Sequence, residues 1–270
     1  MATEKLAVQT RPVPQTDPPR SPRDTLPTMY DLPSEDPEEP GLPDEFHDYQ
    51  PQLLRETFQP PNYPPDRCFV ATDLNLYYDL RHPGWHKRPD WFAVLGISRW
   101  YDERDLRLSY VIWQEGAAPY LAVELLSPGT EKEDLGQTLR ATDQPPTKWA
   151  VYEQILRVPY YVVFSRYTDE LHYFELYGGH YQESKPKDQR LWLPEAGLGM
   201  GLWSGPYQGV ERQWLRFYDA SGAWVATPQE REKTRAEQER QRADQERQRA
   251  DQERQRAERL AAQLKALGIE

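Results

Sequence analysis

The sequence predicts a mixed α/β (α+β) fold, with a β-sheet core flanked by helices over residues 45–226. Three observations support this prediction. Short apolar runs of strand length alternate with stretches of helical periodicity in the middle of the chain. A proline-rich, acidic segment precedes them at residues 1–44, and a polar tail with a seven-residue repeat from Arg235 follows at residues 227–270. The flanking segments are therefore expected to be a disordered N-terminus and a long C-terminal helix.

Composition limits the size of the core and the kind of partner. Hydrophobic residues are 37% of the chain and charged residues 29%, with a net charge of −11. Residues 45–226 hold 18 Lys/Arg against 25 Asp/Glu. An acidic domain that binds nucleic acid needs a local basic rim or bridging cations. The single Cys68 excludes an internal disulfide framework, and no apolar run is long enough to cross a membrane. We therefore expect a cytoplasmic protein with no membrane partner.

Residues 1–44 contain ten prolines and few aromatic residues. Such a composition buries too little surface to offset the entropy lost on ordering, so the segment is predicted to be disordered. A proline-rich docking segment is the alternative.

The first elements of the domain are predicted from periodicity. Phe46, Tyr49, Leu53 and Leu54 indicate a short amphipathic helix, with Pro51 expected near its first turn. Further strands and one loop follow. The predicted strands are 69–78, 91–97, 108–113 and 120–126, and the predicted loop is 81–88.

The second half of the domain continues the alternation. Residues 148–156 are predicted to form a helix with Thr147 as its N-cap. Strands are predicted at 159–164 and 171–176, with Gly178-Gly179 turning the chain back as a hairpin. Residues 191–226 are rich in tryptophan, tyrosine and glycine, and the prediction there is an aromatic core under irregular loops.

The tail begins with the capping box Thr227-Pro228-Gln229-Glu230. The repeated unit Arg-Ala-(Glu/Asp)-Gln-Glu-Arg-Gln that follows is rich in strong helix formers. Three roles remain open for this helix: a solvated rod, a parallel coiled coil that forms a homodimer through positions such as Leu260, Leu264 and Leu267, and direct contact with nucleic acid.

One carboxylate lies in the middle of the most apolar predicted strand. Glu124 is costly there unless it is paired, hydrogen-bonded or metal-bound. Asp90 comes just before another apolar run and is a candidate partner if that strand lies next to the strand of Glu124, while Lys148 and Tyr152 share one face of the following helix. Two carboxylates and an ammonium suit a metal-assisted hydrolase. The alternative is an acidic side chain paired with a surface arginine, and spacing alone does not decide between them.

These motifs, in this order, resemble the Uma family (second type) of bacterial restriction endonucleases, whose fold belongs to the PD-(D/E)XK nuclease superfamily. The resemblance covers residues 45–226, and the matching pieces are Arg88-Pro89-Asp90, Val123 to Thr130, Asp134, Lys148 with Tyr152, the strand 159–164 and the closing Trp214 to Asp219.

The resemblance implies roles for particular residues. Asp90, Glu124 and the backbone carbonyl of Leu125 would bind Mg²⁺, with Mn²⁺ as an alternative. Lys148 would orient or deprotonate the attacking water. Glu56, Tyr152 and Asp134 are candidate accessory residues, and the alternative for Asp134, which its position in a polar loop favours, is a solvated loop residue.

The chain departs from the superfamily pattern at two places. The usual lysine position, two residues after the glutamate, is Leu126 here, so Lys148 on the helix is the substitute. Arg157-Val158 stands where the family tends to have glycine-valine.

The leading hypothesis is a Mg²⁺-dependent endodeoxyribonuclease that hydrolyses phosphodiester bonds in DNA. A homodimer through the core or the C-terminal helix is open. The alternative is a catalytically inactive nuclease-fold interaction module that assembles through its C-terminal helix.

Overall fold

The computed structural model describes residues 18–28, 31, 44–126, 131–138, 140 and 144–266. The chain divides into two compact units, Met1–Val225 and Ala226–Glu270. The first unit contains all the β-strands and the candidate site. The second is a single long helix.

A six-stranded mixed sheet forms the centre of the first unit, in the order β1-β4-β6-β7-β8-β9. Strands β6 and β7 are parallel, and all the other neighbours in this sheet are antiparallel. A parallel pair needs a long crossover, and the residues between β6 and β7 include two short helices. The strand bounds are β1 Cys68–Ala71, β4 Trp91–Leu95, β6 Leu121–Leu125, β7 Tyr160–Phe164, β8 Leu171–Tyr177 and β9 His180–Ser184.

Side chains alternate between two buried clusters on the two faces of this sheet. Val123 and Leu125 point into one cluster, which also holds residues of helix α2 (Phe46–Thr57). Ala122 points into the other, with Tyr152 and Tyr161. Because strand side chains alternate with a period of two, Glu124 lies on the same face as Ala122. Both faces of β6 are buried, which explains why every residue of this strand except Glu124 is apolar.

Residues 190–218 form a second antiparallel sheet, so the prediction of irregular loops there was wrong. Its strands are β10 Arg190–Leu193, β11 Leu198–Tyr207 and β12 Val210–Tyr218. The glycines in β11 make room for aromatic rings. A Cβ at Gly199 would lie 1.9 Å from Cζ of Tyr218, and one at Gly205 would lie 2.2 Å from the Trp203 ring. Glycine here marks close packing of rings on a strand, not a loop.

Helix α2 joins the two sheets through a side-chain amide. Gln50 is fully buried, its Nε2 donates to the carbonyl of Leu215 at 2.9 Å, and its Oε1 accepts from the Leu215 amide at 2.8 Å. Gln50 therefore acts as a one-residue partner for β12. The sequence predicted Pro51 near the first turn of this helix, but Pro51 lies in the second turn.

A third, small sheet has the order β3-β2-β5, with β2 Leu76–Tyr77, β3 His86–Lys87 and β5 Tyr110–Val111. It corrects two strand predictions. The predicted strand 69–78 is broken between β1 and β2, where Asp73 adopts a left-handed φ of 48°. The predicted strand 108–113 is only β5 and then becomes helix α3, Ile112–Glu115.

The other short helices frame the crossover. Helix α4 is Glu131–Asp134 and α5 is Lys148–Ala150, which continues as a π-helical turn at Val151–Ile155. Thr147 caps α5 as predicted, since its side-chain oxygen accepts from the amide of Ala150 at 3.2 Å. Two 3₁₀ turns, Pro65–Arg67 and Lys187–Gln189, complete the unit.

Part of the N-terminal segment is ordered. Helix α1 is Pro22–Thr25, and the Trp113 indole donates to the carbonyl of Pro27 at 3.0 Å. The prediction of disorder for 1–44 otherwise falls largely outside the described residues.

The second unit is helix α6, Pro228–Ala266. Its capping box is present: the Thr227 amide donates to Glu230 Oε2 at 2.8 Å, and the Glu230 amide donates to Thr227 Oγ1 at 3.2 Å. Leu260 is 51% exposed, while the side chains of Leu264 and Leu267 lie outside the described part, so coiled-coil pairing stays a prediction. Among the described residues, no helix has both the length and the apolarity to span a membrane.

Candidate active site

Asp90 immediately precedes β4 and reaches across to β6. Its Oδ2 accepts a hydrogen bond from the Leu125 amide at 2.6 Å. The sheet register explains this contact, because Trp91 pairs with Val123 and Asp90 therefore extends β4 beside the end of β6. Asp90 is therefore opposite Glu124 on the neighbouring strand, and its carboxylate is bound to the amide of the residue that follows Glu124.

Glu124 is completely buried, and both of its carboxylate oxygens have partners. The Tyr152 hydroxyl donates to Oε1 at 2.8 Å, and Lys148 Nζ donates to Oε2 at 2.9 Å. Tyr152 lies in the π-helical turn and Lys148 begins α5. The helix after the crossover therefore supplies both groups that hold the buried carboxylate.

Lys148 also faces Asp134, with Nζ 3.6 Å from Oδ1. The Asp134 side chain is 2% exposed and the Lys148 side chain 22%. Asp134 is therefore part of the cluster, not a solvated loop residue. The ammonium keeps contact with the surface, so it can meet a ligand while it holds Glu124.

Three carboxylates surround one ammonium in this cluster, and their pKa values reflect the imbalance. Burial raises the pKa of Glu124; Lys148 opposes this, Asp90 and Asp134 add to it, and the result is well above the usual range. For Lys148, burial lowers the pKa, but the charges of Glu124, Asp134 and Asp90 outweigh it and the pKa is raised. The partial exposure of Lys148 limits its desolvation, so we take its charged form as the stable one.

The carbonyl of Leu125 is already engaged in this structure. His47 Nε2 lies 3.0 Å from it, and His47 Nδ1 lies 3.0 Å from Asp44 Oδ1. Asp44 in turn pairs with Arg166 at 3.0 Å. A carbonyl and a carboxylate both accept, so both His47 contacts are hydrogen bonds only when both ring nitrogens carry protons.

Sequence reasoning missed His47, Asp44 and Arg166. The spacing of Asp44 and His47, three residues apart at a helix start, was the local signal available. Their link to Leu125 joins positions 78 residues apart, and no periodicity contains that information.

Glu56 is not brought into the cluster. It lies next to Tyr207. Burial is the largest cause of the raised pKa of the Tyr207 hydroxyl, and the charge of Glu56 raises this pKa further. His47 touches Leu125, and Glu56 follows nine residues later on the same helix, which is about 13 Å along its axis. The other predicted residues, Asp90, Glu124, Lys148, Tyr152 and Asp134, are all gathered at one end of β4 and β6.

The donor set fits a hard divalent cation in charge and atom type. Carboxylate and carbonyl oxygens suit Mg²⁺, which usually uses one or two carboxylates together with waters. Asp90 Oδ1 has no hydrogen-bond partner among the described residues, and the cluster carries excess negative charge. No three His, Cys, Asp or Glu side chains in the described part of the chain form a ready-made cage. The fit therefore rests on Asp90, Glu124 and the Leu125 carbonyl.

A mixed sheet with helices on both faces, and two carboxylates with a lysine at the ends of adjacent strands, defines the restriction-endonuclease-like class of fold. The model of the Uma2 family, described as "Putative restriction endonuclease", matches residues 20–208, and the chain belongs to this family. The predicted family is thereby confirmed. The match contains Asp90, Glu124 and Lys148 and ends before the closing segment Trp214 to Asp219. No curated protein has a matching sequence.

Proposed function

We propose that the chain is a Mg²⁺-dependent endonuclease that hydrolyses phosphodiester bonds in DNA. The observation that carries this proposal is the buried Glu124 carboxylate, held between Lys148 and Tyr152 beside Asp90 on the Leu125 amide. The family match supports the nuclease class.

The proposal gives each residue of the cluster a role. Asp90 and Glu124, with the Leu125 carbonyl, would hold Mg²⁺, and Mn²⁺ could replace it. A bound divalent cation activates water and neutralises charge on a phosphoryl oxygen. The Lys148 ammonium lies at the surface end of the cluster, where it can orient the attacking water and stabilise negative charge that develops on the phosphate. Tyr152 fixes the orientation of the Glu124 carboxylate.

Cleavage of duplex DNA in Mg²⁺ tests the proposal. Wild-type protein is expected to nick or linearise plasmid, and Asp90→Ala and Lys148→Ala are each expected to lose at least about 100-fold in rate. Glu56→Ala removes a carboxylate outside the cluster and should keep the wild-type rate. Single-stranded DNA and RNA are tested alongside, and cleavage of RNA alone would correct the substrate class.

One observation favours a second function, an inactive interaction module of nuclease fold. Both oxygens of Glu124 and the Leu125 carbonyl have partners within the protein, so the site is satisfied without a cation. No cleavage of any nucleic acid in Mg²⁺ or Mn²⁺, together with an unchanged melting temperature in both metals, would support this alternative.

A further inference from the structure

Two arginines line one pocket at the free edge of the six-stranded sheet. The pocket has a volume of about 210 Å³ and lies along strand β1, with Arg55 of α2 and Arg99 of the loop after β4 on its walls. Both residues are exposed at the surface, although the protein around Arg55 removes part of the water from its guanidinium group. The pocket is therefore open to a ligand from outside.

Neither guanidinium is neutralised by a carboxylate within 4 Å among the described residues. Arg55 makes only two long hydrogen bonds, to the Val70 carbonyl at 3.4 Å and to Thr72 Oγ1 at 3.3 Å. Burial, and after it the charge of Arg99, lowers the pKa of Arg55. Two like charges that destabilise each other around one pocket create a site for an anion.

Other arginines near the pocket and the active site are each paired with a carboxylate. Arg107, on the same pocket, makes two bonds to Glu115, at 2.7 and 2.9 Å. Close to the active site, Arg88 pairs with Asp73 at 2.6 Å and Arg140 pairs with Glu133 at 2.6 Å. Arg55 and Arg99 are the exceptions to this pattern among these residues.

Capping of the sheet edge is the alternative role for Arg55. Its contact with the Val70 carbonyl covers part of an edge strand, which proteins commonly protect with charge. This role does not require Arg99, which instead weakens it by repulsion. An oxyanion between the two guanidinium groups removes that repulsion.

The pocket runs toward the active site along β1. Thr72 lines the pocket, and the amide of the next residue, Asp73, donates to the Pro89 carbonyl at 3.1 Å, directly before Asp90.

We propose that Arg55 and Arg99, with the Thr72 hydroxyl, bind a phosphate group, which in the proposed nuclease is a backbone phosphate of the DNA other than the one that is cleaved. This inference rests on the proposed function for its substrate but not for its chemistry. It gives an acidic protein a local basic contact for a polyanion.

The first experiment tests the pocket with inorganic phosphate alone. At constant ionic strength, phosphate should raise the melting temperature of the wild-type protein more than that of Arg55→Gln/Arg99→Gln. Phosphate also stabilises proteins by general exclusion from their surface, so Arg157→Gln is the matched control. This substitution removes an exposed arginine that precedes β7 and does not line the pocket. The variant should keep the wild-type response. An equal response in all three proteins overturns the phosphate site.

The second experiment measures duplex DNA binding by fluorescence anisotropy in Ca²⁺, with Lys148→Met as the background to prevent cleavage. Adding Arg55→Gln/Arg99→Gln should raise the Kd about tenfold and reduce the slope of log K against log salt by about 1, the effect of one lost phosphate contact. Unchanged affinity and slope would leave the arginines as an edge cap only. A phosphate response without any duplex binding would instead overturn the proposed action on DNA and assign the pocket to a smaller phosphorylated ligand.

Discussion

At the scale of single residues, some groups around Glu124 stabilise its charged carboxylate and others destabilise it. Lys148 and Tyr152 satisfy its oxygens, yet Asp90 and Asp134 add two further negative charges to a site with one ammonium. Perturbed carboxylates gathered around one cationic group are typical of functional sites. Removal of the ammonium and removal of a carboxylate should therefore change the stability of the protein in opposite directions.

Lys148→Met and Glu124→Gln should change the stability of the metal-free protein in opposite directions. Lys148→Met leaves three carboxylates without their ammonium and should lower the free energy of unfolding by about 2–4 kcal/mol. Glu124→Gln removes one of the three negative charges and keeps an acceptor for Tyr152. Its melting temperature at pH 7 in EDTA should be at least that of the wild type. The reverse ranking in a thermal denaturation series would show that the cluster is an ordinary structural ion pair.

Asp90 has a structural task that a neutral amide can perform. Asp90→Asn keeps an oxygen that can accept from the Leu125 amide, whereas Asp90→Ala leaves that amide unsatisfied and should cost about 1–3 kcal/mol in urea denaturation. Both variants should lose Mg²⁺-dependent cleavage. Activity in Asp90→Asn equal to that of the wild type would restrict Asp90 to holding the strand end.

Cys68 lines the arginine pocket but is not a reactive thiol. Burial, and then the charge of Asp66, raise the pKa of the thiol from 9.0 to about 11. The thiol of the folded protein therefore stays protonated to higher pH than a free cysteine, and its thiolate fraction at pH 8 is about 100-fold lower. Iodoacetamide should label the native protein about 100-fold more slowly than the urea-unfolded chain at pH 8. The labelling rate of the native protein should rise about tenfold for each pH unit from 8 to 10. Equal rates in the two states would contradict this burial.

At the scale of elements, the packing of aromatic rings against glycine holds the second sheet together. Gly199→Ala would place a methyl group into the Tyr218 ring and should lower the free energy of unfolding by about 2–3 kcal/mol, as overpacked sites do. Gly84→Ala is the control, since a Cβ there meets nothing within 4 Å and its effect should stay within about 0.5 kcal/mol. Similar melting temperatures for both variants would show that the strands shift to accept the methyl group.

The elements that the sequence predicted best are those with a strong local signal. The apolar runs of β4, β6 and β7 and the capping box of α6 are all where they were expected. Local signals failed where tertiary contacts decide the conformation. The glycines of β11 resembled loop residues because the sequence does not show that the Tyr218 and Trp203 rings pack against them, and the break at Asp73 left no sign in the alternating sequence.

The same distinction applies to the candidate site. Glu124 was identifiable as a carboxylate in an apolar strand, and Lys148 as a cation on a following helix. Their placement together depends on the parallel pairing of β6 with β7, which brings the crossover helix back over the sheet. His47 could not be assigned from sequence, because its partner at the site is a backbone carbonyl with no residue-specific signal.

At the scale of the whole molecule, an acidic chain of net charge −11 needs local cations to act on DNA. The proposed cation site at Asp90 and Glu124 and the proposed phosphate site at Arg55 and Arg99 would both supply such local cationic contacts. The long helix α6 adds almost no net charge, since its arginines are matched by glutamates and aspartates. We expect the first unit to carry substrate contact, and self-association through α6 remains a prediction.

The binding of Mn²⁺, measured by electron paramagnetic resonance, tests most directly whether Asp90, Glu124 and the Leu125 carbonyl form one cation site. Wild-type protein should bind Mn²⁺ at this site and release it to an excess of Mg²⁺. Asp90→Asn and Glu124→Gln should each abolish this binding while Glu56→Ala retains it. Wild-type protein that leaves all Mn²⁺ free, or variants that bind it as the wild type does, would contradict the cation site on which the proposed hydrolysis depends.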